Sequence, residues 1–325
     1  MPEPLLTPLD SLPRHSDIFL WADYVELLCL CGRNGFVSRG NLQAQVQEAQ
    51  DLQADSPLAD DLDSPDGQDA QAWQDDRLAA RWSDIHLRLQ ARSKHYPGWP
   101  FTLERDGLRL AFEANHPGHR LYAALLIAST LRLCHKKRTP EVASAFEEIA
   151  FHWLRHALNE QWTVRPFGAH QRLPGAYSGT LRQKFEALAQ DICARCITQV
   201  NNPRNSGDGG IDLVAWMDMG DTRGHMPIVF GQCACSPDEW ETKQLTVTPS
   251  AIEAHVLPQH PGAAFCFVPH DLSDGARWQQ ADKLKRTVMV DRLRLLSLFD
   301  KRQWRDVPPL PFVHEAHQLD VVAVT

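Results

Sequence analysis

No apolar run in this chain is long enough to cross a membrane. The longest, roughly Leu121 to Leu131, is broken by Ser129 and Thr130 and falls short of the ~20 residues a spanning helix requires, so no membrane partner is expected. The opening, MPEPLLTPLDSLPRHSD, carries two acids early and lacks a basic segment followed by an apolar one; no secretory signal is expected, and the expected compartment is the cytoplasm. No internal repeat is visible. Lys and Arg are missing altogether between Glu48 and Asp76, a stretch that holds ten acids. Without it, 31 acids face 33 bases, so the formal charge of −8 reflects one acidic segment on a balanced body and does not exclude a nucleic-acid partner.

Partnered cysteine pairs are also lacking. Cys193 and Cys196 have a zinc-like spacing, but no second pair matches it. In a reducing compartment the eight cysteines read as free, mostly buried thiols rather than a disulfide framework. His152 and His156 lie four apart, but the acid of an HExxH motif is absent.

What is present suits a folded protein of two parts. The 325 residues are 43% hydrophobic and 23% charged, figures that exclude wholesale disorder, collagen and coiled coil. Residues 1–165 read as a mostly helical N-terminal domain of unassigned task, a surface for a protein partner. It begins with a helix carrying Trp21, Tyr24, Val25, Leu27 and Leu28 that ends at Asn34-Gly35. Residues 48–76, with two Ser-Pro steps, read as an acidic loop. An amphipathic helix is expected over 75–95, and the alternation around Arg105-Asp106-Gly107 predicts a hairpin from Phe101 to Phe112. Helices follow from about His119 to Cys134 and from Thr139-Pro140 to about Leu158.

Residues 166–325 read as an α/β (α+β) domain, a mixed sheet flanked by helices. The expected order is α-β-β-β-α-β: a helix from Thr180 to about Cys196, strands at Ile197–Val200, Ile211–Trp216 and Ile228–Cys235, a charged helix after Ser236-Pro237, and a strand at Ala263–Val268. A further strand at Thr287–Val290 and a basic helix from Asp291 complete it.

The chemistry concentrates in Gly207-Asp208-Gly209-Gly210-Ile211-Asp212 and, about twenty residues on, Gly231-Gln232-Cys233-Ala234. Asp212 sits one residue into an apolar strand, and the glycines before it allow close approach of a backbone or phosphate. If the two strands are hairpin partners, Asp212 and Gln232 sit side by side and offer oxygens to a hard cation such as Mg²⁺ or Mn²⁺. Basic clusters at His135–Arg138 and from Lys283 to Arg305 could contact phosphates without reading sequence.

These residues resemble the PD-(D/E)xK nuclease fold, in particular the Mrr-like restriction endonucleases, whose pattern runs FE, GDGGID, QxK. The stretch Gly207–Asp212 matches in full, Gln232 supplies the Gln, and Phe185-Glu186 supplies the Phe-Glu pair; the similarity covers roughly residues 180–270. Phe146-Glu147 repeats that pair, but Glu186 is preferred because its helix immediately precedes the expected strands. The resemblance implies a Mg²⁺- or Mn²⁺-dependent endonuclease acting on DNA. In it Asp212, Gln232 and Glu186 hold metal, in a setting such as phage or mobile-element defence. The sequence departs from the pattern at Ala234, where the family places lysine, and Lys243 is the expected substitute. The alternative is a degenerate nuclease fold serving as a nucleic-acid-binding or scaffold subunit.

Overall fold

The computed structural model describes residues 3–9, 11–13, 17–54, 68–168, 173–197, 207–273 and 277–319. The chain divides into two compact units. One comprises residues 1–140, 274–277 and 310–325; the other comprises residues 141–273 and 278–309.

The first unit is built around helix α1 (Ile18–Cys31), which is buried from Phe19 through Cys31. Strand β1 (Phe36–Ser38) and helices α2 (Arg39–Ala54) and α3 (Gln68–His95) follow. The hairpin is present as β2 (Phe101–Glu104) and β3 (Gly107–Leu110), with β1 paired antiparallel to β3. Helix α4 (Pro117–Ser129) and, near the C-terminus, α10 (Pro311–His317) complete the shell. The expected acidic loop is shorter than 48–76: α2 runs on to Ala54 and α3 already begins at Gln68, while residues 55–67 lie outside the described residues.

A helix with no solvent face must satisfy its polar side chains internally. Asp23 and Glu26, three residues apart on α1 and so on one face, both meet Arg92 of α3, at 2.7 and 2.6 Å. Trp99 Nε1 donates to Glu26 Oε1 (2.7 Å), the Tyr122 hydroxyl to Glu26 Oε2 (2.8 Å) and the Ser129 hydroxyl to Asp23 Oδ2 (2.6 Å). All three charged side chains are fully buried. Removing one member leaves an uncompensated charge. Arg92→Ala is therefore expected to lower stability by about 3–5 kcal/mol, measured by denaturant unfolding; a loss under about 1 kcal/mol, the range of exposed ion pairs, would contradict this account.

The second unit starts earlier than expected. Helix α5 (Thr139–Ala157) and strand β4 (Trp162–Pro166) belong to it, which moves the boundary from 165 back to 140. Pairing and packing explain the shift. Strand β4 is hydrogen-bonded along β6 (Leu213–Met217), and Trp153 of α5 stacks edge-on against Phe267 at 5.6 Å. The sheet order is β10 (Val288–Val290), β9 (Ala263–Phe267), β7 (Ile228–Cys233), β6 and β4. The strands from β4 to β7 are antiparallel, and β9 and β10 run parallel to β7. The protein is thus mixed α and β with a five-stranded mixed sheet.

The α-β-β-β-α-β order is realised, but its first helix and first strand are not those expected. It runs α5, β4, β6, β7, then the short helices α7 (Trp240–Lys243) and α8 (Pro249–Ile252), then β9. The helix from Thr180, α6 (Leu181–Asp191), lies within an insert between β4 and β6. The segment after it forms only β5 (Arg195–Cys196), which pairs with β8 (Val256–Leu257) outside the central sheet; Thr198–Val200 lie outside the described residues. Helix α6 is capped by Thr180 in a capping box with Gln183. Its apolar face, Leu181, Phe185, Leu188 and Ala189, packs on Val214, Trp216, Ile228 and Phe230. Helix α9 (Arg292–Lys301) closes the unit; the Arg294 carbonyl accepts from Trp153 Nε1 at 3.0 Å, on the sheet face that carries Phe267.

Candidate active site

The site grows from the end of the β6–β7 pair. Leu213 lies opposite Gly231, and Asp212 and Gln232 are the next residues along the chain beyond that pair, both at this end of the sheet. The Asp212 amide donates to Gly231 O (2.9 Å), and the Cys233 amide donates to Asp212 Oδ2 (2.7 Å). Both side chains are only 5% exposed. Gln232 Nε2 donates to Cys233 O (3.2 Å), which turns its Oε1 toward the Thr246 hydroxyl at 3.3 Å.

The acid that meets Asp212 is Glu147. The chain leaves β4 through Phe167 and Gly168, whose amides donate to Asp212 O at 2.7 and 3.2 Å. A Cβ added at Gly168 would stand 3.2 Å from Asp212 Oδ1 and 3.2 Å from Glu147 Oε2. The two carboxylate oxygens therefore border one small space that only glycine leaves open, and at most twice that distance separates them. Phe146, buried to 1% exposure, anchors α5 so that the next residue reaches the sheet end.

Glu186, the acid expected here, is placed elsewhere. It pairs with Arg182 one turn away on α6 (2.8 Å), its side chain 44% exposed. The correction follows from the topology: the helix preceding the first strand of the central sheet is α5, and α6 belongs to the insert.

The electrostatics mark the same group of residues. Burial, then the neighbouring charges of Glu147 and Asp208, push the Asp212 carboxyl well above its usual range; the Cys233 amide and the Lys243 ammonium pull the other way. Lys243 is the last residue of α7, 40% exposed and 3.9 Å from Glu239. Gln244, fully buried beside it, fixes α7 to the segment that follows β9, through Lys283 O (2.9 Å) and the Lys285 amide (2.9 Å). Position 234, where the resembled pattern places lysine, holds a fully buried alanine whose amide bonds Phe267 O (2.9 Å).

The glycines before Asp212 have a mechanical purpose. At Gly210 (φ +82°) a Cβ would come within 2.7 Å of Thr246 Cβ, and the Thr246 hydroxyl donates to Gly210 O (2.9 Å). Asp208 Oδ1 accepts from the Gly210 amide (2.8 Å) and closes the turn. Burial holds the nearby thiols protonated: Cys233 is raised well above its usual value, and Cys266 is pushed up to about 12. Neither suits a nucleophile.

The basic clusters serve mostly other purposes. Lys137 and His135 pair with Glu3, and Arg138 with Glu315. Arg292 is fully buried on Pro269 O (2.8 Å), and Lys283 pairs with Glu241 (2.8 Å). Among the described residues, no three His, Cys, Asp or Glu side chains converge as a metal cluster; the donor set here is two carboxylates and an amide. Also among the described residues, no helix is long and apolar enough to cross a membrane. No family model, no curated protein and no solved structure matches this chain.

The raised Asp212 carboxyl has a consequence for stability. A group protonated more readily in the folded state favours folding at low pH, and that advantage is lost as pH rises from the unfolded carboxylate range through the folded value. Asp212→Asn removes the ionised form and leaves an oxygen for the Cys233 amide. The variant is expected to melt above wild type at pH 7, with the gap closing as pH falls through the raised folded value toward 4; thermal unfolding across this range is the measurement, and equal melting at pH 7 would refute it.

Proposed function

We propose that the second unit is a divalent-metal-dependent phosphodiesterase of the PD-(D/E)xK kind, acting on DNA. The observation that carries this reading is the shared space at Gly168, bordered by Glu147 Oε2 and Asp212 Oδ1, at the end of the β6–β7 pair that also carries Gln232. The α-β-β-β-α-β order around it supports the same reading, with Phe146-Glu147 in place of Phe185-Glu186.

The residues fit a hard cation. Two carboxylates and a carboxamide form an all-oxygen donor set, and the space between the acids is one that any side chain at 168 would fill. Glu147, Asp212 and Gln232 would hold Mg²⁺ or Mn²⁺, which when bound supplies Lewis-acid activation of phosphate and water. The protein's own contributions are orientation and charge. Glu147 and Asp212 fix the side from which water approaches phosphorus. Lys243, close enough to act on Asp212 electrostatically, offsets charge developing on the phosphate. The buried Ala234 favours a second reading, a binding subunit of the same fold without chemistry.

The test is incubation of purified protein with DNA and RNA in Mg²⁺ or Mn²⁺. Wild type is expected to cleave DNA, with Glu147→Ala and Asp212→Ala each reducing the rate at least ~100-fold, within the range for removing electrostatic stabilisation of a transition state. Glu186→Ala is expected to stay within twofold of wild type. Metal-independent DNA binding without cleavage would favour the binding subunit, and loss of activity in Glu186→Ala alone would overturn the assignment of Glu147.

A further inference from the structure

Between β4 and β6 the chain leaves the sheet at Phe167 and returns at Gly207. The intervening insert carries α6, already anchored by an apolar face. Yet α6 also buries a cation. Lys184 is 2% exposed, and its Nζ lies 3.2 Å from Gly207 O and 3.5 Å from Phe167 O. One carbonyl belongs to each end of the insert, forty positions apart in sequence. Taking an ammonium out of water is costly, and apolar packing alone would hold the helix.

The two ends that Lys184 grips are those that set Asp212. On one side, the Phe167 and Gly168 amides both donate to Asp212 O, and Gly168 is the residue whose missing side chain leaves the space between Asp212 and Glu147. On the other, Gly207 precedes Asp208, whose carboxylate acts electrostatically on both Lys184 and Asp212.

We propose that Lys184 is a positioning residue: by tying Phe167 to Gly207 it fixes the spacing of Glu147 and Asp212, and so the fit of the divalent cation they take. The inference rests on the phosphodiesterase reading for its cation, but its geometry can be tested independently. The experiment compares Lys184→Met and Lys184→Arg with wild type, after circular dichroism confirms folding.

Manganese titration of substrate-free protein is expected to show at least fivefold weaker binding in Lys184→Met. The kcat should fall at least tenfold with KM within twofold, and Lys184→Arg should recover most of both. A Lys184→Met protein that binds Mn²⁺ and cleaves within twofold of wild type, or that loses only thermal stability, overturns the proposal. If wild type itself neither binds Mn²⁺ nor cleaves, the phosphodiesterase reading falls. Hydrogen exchange at the Phe167, Gly168 and Asp212 amides then decides the Lys184 inference: acceleration of tenfold or more in Lys184→Met, reversed in Lys184→Arg, supports the clip, and unchanged exchange overturns it. Should Lys184→Met fail to fold, Lys184→Gln takes its place under the same criteria.

Discussion

The second unit is organised around an unfavourable fact: a carboxylate at a sheet end, 5% exposed, with a second carboxylate facing the same small space. Like charges removed from water repel strongly and are poorly screened. Several otherwise unrelated features follow from holding them there. Gly168 must lack a side chain. Gly210 must let Thr246 approach. Phe146 must anchor α5 so that Glu147 arrives at the end of the sheet. The Cys233 amide must point at Asp212 Oδ2. Each feature fixes geometry, and none removes the burial or the repulsion, which is why the Asp212 carboxyl is displaced upward. Strongly perturbed acids of this kind mark candidates for functional sites.

The first unit shows how the same fold-building chemistry treats buried acids that are paired with a cation. Asp23 and Glu26 are as deeply buried as Asp212, but they meet the Arg92 guanidinium directly and receive hydroxyl and indole donors. Their charge is shared with a guanidinium and with neutral donors inside the protein. The contrast between the two units separates a structural network from a candidate site more clearly than burial alone, since burial is nearly equal in both.

Much of the second unit was legible in the sequence because its signals are local. Apolar runs gave the strands carrying Leu213–Met217, Ile228–Cys233 and Ala263–Phe267, and the glycine-rich turn marked Asp212. Thr180 announced the start of α6. Glu147 was harder to assign because its claim depends on β4, a five-residue edge strand paired with a segment nearly fifty residues later. Trp162-Thr163-Val164 carries a β-forming signal, but a strand that short says nothing of its partner. With β4 unread, sequence proximity favoured Glu186, which the insert sets apart. Lys184 was invisible for a related reason: nothing local distinguishes a lysine that bridges Phe167 and Gly207 from one on a solvated helix face.

On the proposed nuclease reading, the alanine at position 234 follows a comparable logic. A lysine there would start from a backbone whose amide bonds Phe267 and whose side-chain position is fully buried. Its ammonium would be desolvated, with a lowered pKa and a penalty to folding. Supplied from α7 instead, as that reading has it, the cation of Lys243 keeps much of its hydration while Asp212 still senses it. The cost is reach, since a side chain on a four-residue helix is only as well placed as that helix. Gln244 answers that cost by bonding α7 to the backbone at Lys283 and Lys285. The position of Lys243 therefore depends on the buried amide next to it, and the charge of the site depends on a polar contact made outside the central sheet.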